Sequence, residues 1–388
     1  MARPTNGIKS HRTTAFLERF RSWVKANALI SFFGLTLLLV FILLIPFVVQ
    51  SGFKDSPILQ LLMLYAARLG AYMPVLVGML VTGWALPVRC PASASKRWLI
   101  FGVVWLAALT VYVLDLRRNI PEAVLGWGAL IIISIPIAVL PAFVVSSAFS
   151  RVASLREYLS TLVHPRGHFV WYLVALLTFP LLWIAGSVIT QLLAGEPPLS
   201  GIHLHMGIVL ATLITFASVF FYSGGINEEG GWRGFAQRRL QARVSPLAAN
   251  LLLWAYLVVV HIPNDLIEYR EGGYLLVRFG LYPFITLLFG WVYNRTRGSI
   301  LAPALFHASM NSMNTLQTAI PRTDIGQILL VIFAVLAALI DRMWKKLPSG
   351  HPGAYREPVL EGDRHGAKAE LKMAVLGRKQ PSIPEKQI

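Results

Sequence analysis

The stretch Ile226-Asn227-Glu228-Glu229-Gly230-Gly231-Trp232-Arg233-Gly234-Phe235 decides how this chain is read. It lies between two strongly apolar segments, where ionised carboxylates are costly and therefore usually functional. The run from Ile226 to Arg243 is predicted to form one helix, with Gly224-Gly225 as a break before it and Val244-Ser245-Pro246 as a turn after it. On that helix Glu229 and Arg233 are four apart and share a face, so a structural ion pair is expected between them. Glu228 is turned away by about 100°. It has no obvious local partner, which suits a carboxylate whose proton affinity is raised by burial.

Working outward, the chain has 388 residues, 56% of them hydrophobic and only 14% charged, and apolar runs recur along it. Runs of about twenty such residues make a polytopic membrane protein, and they must be helices because lipid offers the backbone no partner. Ten segments are marked: 28–49, 58–85, 98–114, 124–148, 169–193, 206–222, 246–263, 274–293, 300–317 and 325–341. The net charge of +17 does not point to nucleic acid, because Lys and Arg sit mostly in the tails and in alternate loops. That is how membrane topology is encoded. The loops with Arg89, Lys96 and Arg97, with Arg151, Arg156 and Arg166, with Arg233 to Arg243, and with Arg295 and Arg297 are assigned to the cytoplasm, as are both termini. The intervening loops are poorer in basic excess: Lys54 with Asp55, Asp115 and Glu122 beside Arg117 and Arg118, Glu196, Arg270 among Asp265, Glu268 and Glu271, and Arg322 with Asp324. Cys90 is the single cysteine, which excludes an internal disulfide and any multi-cysteine metal site. Pro74, Pro136, Pro141, Pro180 and Pro283 lie inside spans and are expected to kink them. Arg68 and Arg278, also inside apolar segments, are expected to pair internally or to snorkel.

Two further polar insertions stand in apolar surroundings. His261 follows Leu257-Val258-Val259-Val260. Glu228 is fifteen residues before Arg243 and His261 fifteen after Pro246, so in an antiparallel hairpin turning at Val244-Ser245 each lies about 22 Å from the turn. They can meet at one level. The other insertion carries His307 and Asn311, four apart on one helical face, with small neighbours Ala302, Ala304, Ala308 and Ser309 that let another helix come close. A lone histidine on an apolar helix is ordinarily a packing residue. Three insertions on different spans, converging on the cytoplasmic half of the membrane, carry more weight. A carboxylate, two imidazoles and an amide can activate water and hold the oxyanion of an attacked carbonyl. The set Glu228, His261 and His307 could instead hold zinc with a fourth position left for water, although the sequence H-E-x-x-H is absent.

Glu228-Glu229-Gly230-Gly231-Trp232-Arg233 resembles the E-E-x-x-x-R motif of the CAAX-protease and bacteriocin-processing family, the CPBP or Abi intramembrane proteases. Leu257 to His261 is similar to its F-x-x-x-H motif with Leu in the Phe position, and His307 with Asn311 meets H-x-x-x-N. The resemblance implies that Glu228 is the catalytic base, that His261 helps it activate water, and that His307 and Asn311 bind the oxyanion, with Glu229 and Arg233 in support. It implies a glutamic endopeptidase without a cofactor, zinc being the alternative, which cleaves peptide or membrane-protein substrates near the cytoplasmic face of a bacterial plasma membrane. The Leu257 departure bears on substrate shape more than on chemistry, and a prenylated substrate is narrower than the motifs require.

The organisation expected is a basic cytoplasmic tail over 1–27, helices of unassigned role over 28–150, the catalytic core over 165–320, a last span at 325–341 and a flexible basic tail over 345–388. The fold class is all-α, a transmembrane bundle of ten spans. Two rivals compete. A non-catalytic immunity or peptide-binding protein would be expected to have lost at least one of these positions, and a transporter usually shows repeat symmetry that is not found here.

Overall fold

A computed structural model describes residues 7–49, 56–85, 89–200, 202–268, 274–320 and 323–356. Lys54, Asp55, Arg270, Glu271 and Arg322, residues 1–6 and the tail from 357 onward lie outside the described residues. Long apolar runs can satisfy their backbone only internally. The described residues accordingly form helices and no strand, a lone bridge between Arg89 and Val152 apart.

The order is α1 (Gly7–Ala26), α2 (Ala28–Val49), α3 (Pro57–Ala85), α4 (Ala94–Asn119), α5 (Trp127–Ser147), α6 (Ala153–Val163), α7 (Val170–Leu193) and α8 (Met206–Tyr222). Then come α9 (Ile226–Glu229), a π-helix over Gly230–Gln237, α10 (Arg238–Leu240), α11 (Pro246–Glu268), α12 (Tyr274–Gly280), α13 (Tyr282–Arg295), α14 (Leu301–Leu316) and α15 (Asp324–Ile340). Each of the ten marked segments falls on helix. Seven helical stretches are long and apolar enough to cross a membrane: α2, α3, α4, α5, α7, the run Met206–Leu240 and α11. The others are shorter, at 14, 16 and 17 residues for α13, α14 and α15. Most of α13 from Ile285 to Tyr293 is buried, so its length is not set by contact with lipid.

The structure departs from the expected helices and tails in four places. The helix expected from Ile226 to Arg243 is divided, its middle wound as a π-helix. The segment 274–293 breaks at Leu281, so Pro283 stands in the first turn of α13, where its missing N–H costs nothing, and kinks no helix. The expected N-terminal tail contains α1, with Phe20 packed on Trp84 of α3 at 4.9 Å between ring centroids. The tail expected from Lys345 is held as far as Tyr355: Gln241 donates to the Gly353 carbonyl at 2.9 Å, and the Tyr355 amide to that of Arg238 at 2.8 Å.

Apolar side chains on the outer face, such as Leu99, Ile30 and Ile132, gain nothing from leaving lipid, so cohesion must come from packing and from buried polar pairs. Two packed cores supply the first. One gathers α2 to α6, the π-helix and α11; the other gathers α7, α13, α14 and α15. Backbone bonds tie the helix ends. Cys90 to Arg151, Ile300 to Thr161 and Leu247 to Met343 join the basic end, and His203 to Ala319 joins the opposite one.

Candidate active site

The site lies where the two cores meet. Three glycines explain how the π-helix comes so close to its neighbours. A Cβ on Gly231 would stand 2.4 Å from Pro74 Cβ, one on Gly230 2.6 Å from Val75 Cγ2, and one on Gly234 2.6 Å from Ile300 Cδ1. Tyr158 of α6 donates to the Gly230 carbonyl at 2.6 Å. Isolated π turns of this kind recur at functional sites.

Asn227, fully buried, fixes the start of the run. Its Oδ1 accepts from the Gly224 amide at 3.0 Å, and its Nδ2 donates to the carbonyls of Ala71 at 3.1 Å and Tyr222 at 3.4 Å. The sequence reading missed it, although an Asn just after a Gly-Gly break is a residue type that bonds its own local backbone. Ala71 and Pro74 lie near the middle of α3, about 21 and 16 Å along the axis from Ala85 at the basic end.

The two adjacent carboxylates meet different surroundings. Glu229 is fully buried, and Arg233 Nη1 lies 3.1 Å from its Oε1 and 2.9 Å from its Oε2. The Arg233 guanidinium lies over the Phe289 ring, 4.4 Å from its centroid. The expected ion pair is present, and it has a third member: His307 Nδ1 lies 2.9 Å from Glu229 Oε1. A carboxylate held by Arg233 is an acceptor, so Nδ1 carries the proton. His307 is further confined by Phe289, at 5.2 Å between ring centroids, and by Gly224. At Gly224 φ is +136°, and a Cβ would fall 2.2 Å from His307 Nε2. Any side chain there would displace the imidazole.

Glu228 instead faces a cavity of about 1300 Å³. Its local partner, which the sequence reading did not find, is Trp232 Nε1, donating to Oε2 at 3.3 Å. His261, Asn311, Ser223 and His307 line the same cavity. His261 Nδ1 lies 2.8 Å from the Leu257 carbonyl, which can only accept, so its proton is on Nδ1 and the Nε2 lone pair is free. Glu228 is within electrostatic reach of His261. Asn311 Nδ2 donates to the Ser223 carbonyl at 3.4 Å, leaving its second N–H. All four proposed catalytic side chains and both supporting ones thus border one cavity. His307 does so while bonded to Glu229, a link that the separation of the two motifs in sequence conceals.

The cavity's farther walls come from α2, α3 and α4, through Leu44, Leu61, Leu64, Leu116 and Arg68. Phe32 of α2 also packs on Trp232 and Phe235, at 5.8 and 4.7 Å between ring centroids. The N-terminal helices, which showed no motif, therefore build the site. The cavity deepens to buried Glu229 and Arg233 and widens to a rim at Ile58 and Val124, 71% and 72% exposed. That rim is at the end of the bundle opposite the basic one.

Among the described residues no three of His, Cys, Asp and Glu are grouped so that they could hold a metal ion.

Residues 209–313, just over a quarter of the chain, match the family model of the type II CAAX prenyl endopeptidase Rce1-like proteins, which are peptidases. The matched segment contains all three motifs. No curated protein matches the chain.

Proposed function

We propose that this is an intramembrane endopeptidase in which Glu228 is the base, a multi-pass protein of ten spans with both termini cytoplasmic. One observation carries the reading: of two adjacent glutamates, one is sealed against Arg233 and His307, and the other opens with His261 onto a cavity large enough for a peptide. A water between them donates one hydrogen to Glu228 and the other to His261 Nε2, and Glu228 takes its proton as the oxygen attacks the scissile carbonyl. The oxyanion accepts from Asn311 Nδ2–H and from His307 Nε2–H, the latter when His307 is protonated on both nitrogens and its Nδ1–H stays on Glu229. Glu228 returns its proton to the leaving nitrogen as the C–N bond breaks. Water and one amide become a carboxylic acid and an amine, and no metal is needed.

The test is cleavage of a peptide library by purified protein in detergent or lipid, wild type beside Glu228→Gln, with and without a strong zinc chelator. Cleavage that requires Glu228 and survives the chelator supports this chemistry. Cleavage lost to the chelator and restored by zinc contradicts it, and a wild type that binds but never cleaves peptides favours a non-catalytic binding protein.

A further inference from the structure

We propose that Arg68 is the anchor for a carboxylate carried by the substrate. Three arginines line the cavity, and two are already neutralised: Arg233 by Glu229, and Arg278 by Asp265, whose oxygens accept from Nε at 2.8 Å and Nη2 at 2.6 Å. Arg68 has no carboxylate within ion-pair distance among the described residues. Its Nε donates to the Tyr112 hydroxyl at 3.5 Å, and its guanidinium lies 5.6 Å from the Tyr112 ring centroid. The nearby carboxylate, Asp115, is spent on Arg118 at 3.1 Å and on the Ser218 hydroxyl at 2.7 Å. With Nε occupied, the Nη1 and Nη2 pair is left for a ligand in the cavity that Arg68 lines. Two parallel N–H groups in that fork match the two oxygens of a carboxylate.

A guanidinium on an apolar cavity wall without a counter-ion is costly, and a substrate anion would remove that cost. Position agrees. Arg68 precedes Ala71 by about 4.5 Å of helix rise, and the Ala71 carbonyl holds Asn227, the neighbour of Glu228. A carboxylate on Arg68 would therefore sit on the rim side of the reacting carbonyl, a few residues of extended peptide away. The carboxylate has two sources, the substrate's C-terminus or an Asp or Glu side chain.

The assignment rests on the cavity being the substrate site, and the test separates it from the peptidase reading. Peptides of one sequence are prepared as the free acid, as the C-terminal amide, and as the amide with one internal Glu at successive positions. Their binding to full-length protein in detergent is measured for wild type, Arg68→Gln and Arg68→Lys, and cleavage is followed in parallel. Wild type is expected to bind the acid on the order of tenfold more tightly than the amide, or an internal Glu to restore that factor. The first result names the C-terminus as the source and the second names a side chain. In Arg68→Gln the preference falls to about one while the amide binds as before. Arg68→Lys, which keeps the charge without the fork, retains only part of it and serves if the Gln variant does not fold. Equal binding of acid, amide and Glu-bearing peptides by wild type overturns the proposal. So does an equal loss on all peptides in the variants, the behaviour of a counter-charge to Glu228 alone. A carboxylate preference without cleavage would sink the peptidase reading and leave Arg68 standing, and cleavage without the preference would do the reverse.

Discussion

The floor and the wall of the cavity handle charge in opposite ways. On the floor, Glu229, Arg233 and His307 are packed against Phe289 and tied to one another through Arg233 Nη1 and His307 Nδ1, while Arg233 Nε and Nη2 stay buried without a hydrogen-bond partner. On the wall, Glu228 and His261 each spend one atom on a protein partner, Trp232 Nε1 and the Leu257 carbonyl, and keep the rest toward the cavity. A charge that is buried and paired stiffens a structure, and removing one partner is expensive. A polar group that is oriented but not saturated can do chemistry. One residue of helical rotation separates the two fates of Glu228 and Glu229.

Substitutions can break or sharpen this contrast. The largest expected effect is on the floor. Glu229→Ala strands Arg233 in a buried site and should lower stability by about 3–5 kcal/mol, seen as loss of folded protein or a large fall in melting midpoint. On the wall, His261→Ala should reduce cleavage about 10²–10⁴-fold while the melting midpoint moves little, because what it removes is proton handling. Gly224→Ala tests the seam between them. Its Cβ would enter the space of His307 Nε2 at a positive φ, so both stability, by about 1–3 kcal/mol, and cleavage should fall. The smallest effect is expected for Trp232→Phe, which keeps an aromatic ring but removes the hydrogen bond to Glu228, worth about 0.5–1.5 kcal/mol. Cleavage should drop several-fold with no change in fold; an unaltered rate would mean that the orientation of Glu228 comes from elsewhere.

Local spacing carried much of this. The i, i+4 relation was enough to pair Glu229 with Arg233, and apolar runs were enough to place helices; of Arg68 and Arg278, both expected to pair internally or to snorkel, Arg278 pairs with Asp265 and Arg68 meets the Tyr112 hydroxyl. What stayed hidden depended on distance in sequence or on glycine packing. The His307 to Glu229 bond joins residues 78 apart, and nothing in either motif announces it. The π turn arises because Gly230, Gly231 and Gly234 let α3 and the residues before α14 press in, a property of the neighbours more than of the helix. Glu228 showed no obvious local partner in the sequence, where carboxylates are matched first with charged residues, yet the indole N–H of Trp232 four residues on reaches it. The part played by α2 and α3 was illegible for a similar reason: Phe32, Leu44 and Leu64 are ordinary apolar residues until the fold sets them around a carboxylate. The tail expected to be flexible from 345 onward is tied as far as Tyr355 by partners distant in sequence: the Gly353 carbonyl meets Gln241 and the Tyr355 ring meets Arg239.

The most direct test of the contrast measures cleavage rate and melting midpoint together for Glu228→Gln and Glu229→Gln. The expected result is a split: Glu228→Gln keeps the wild-type midpoint and loses cleavage, and Glu229→Gln loses midpoint, its residual cleavage following the amount of folded protein. A Glu228→Gln protein that cleaves at the wild-type rate, or a Glu229→Gln protein that is fully stable yet inactive, would contradict the assignment of Glu228 as the base and Glu229 as its buried support.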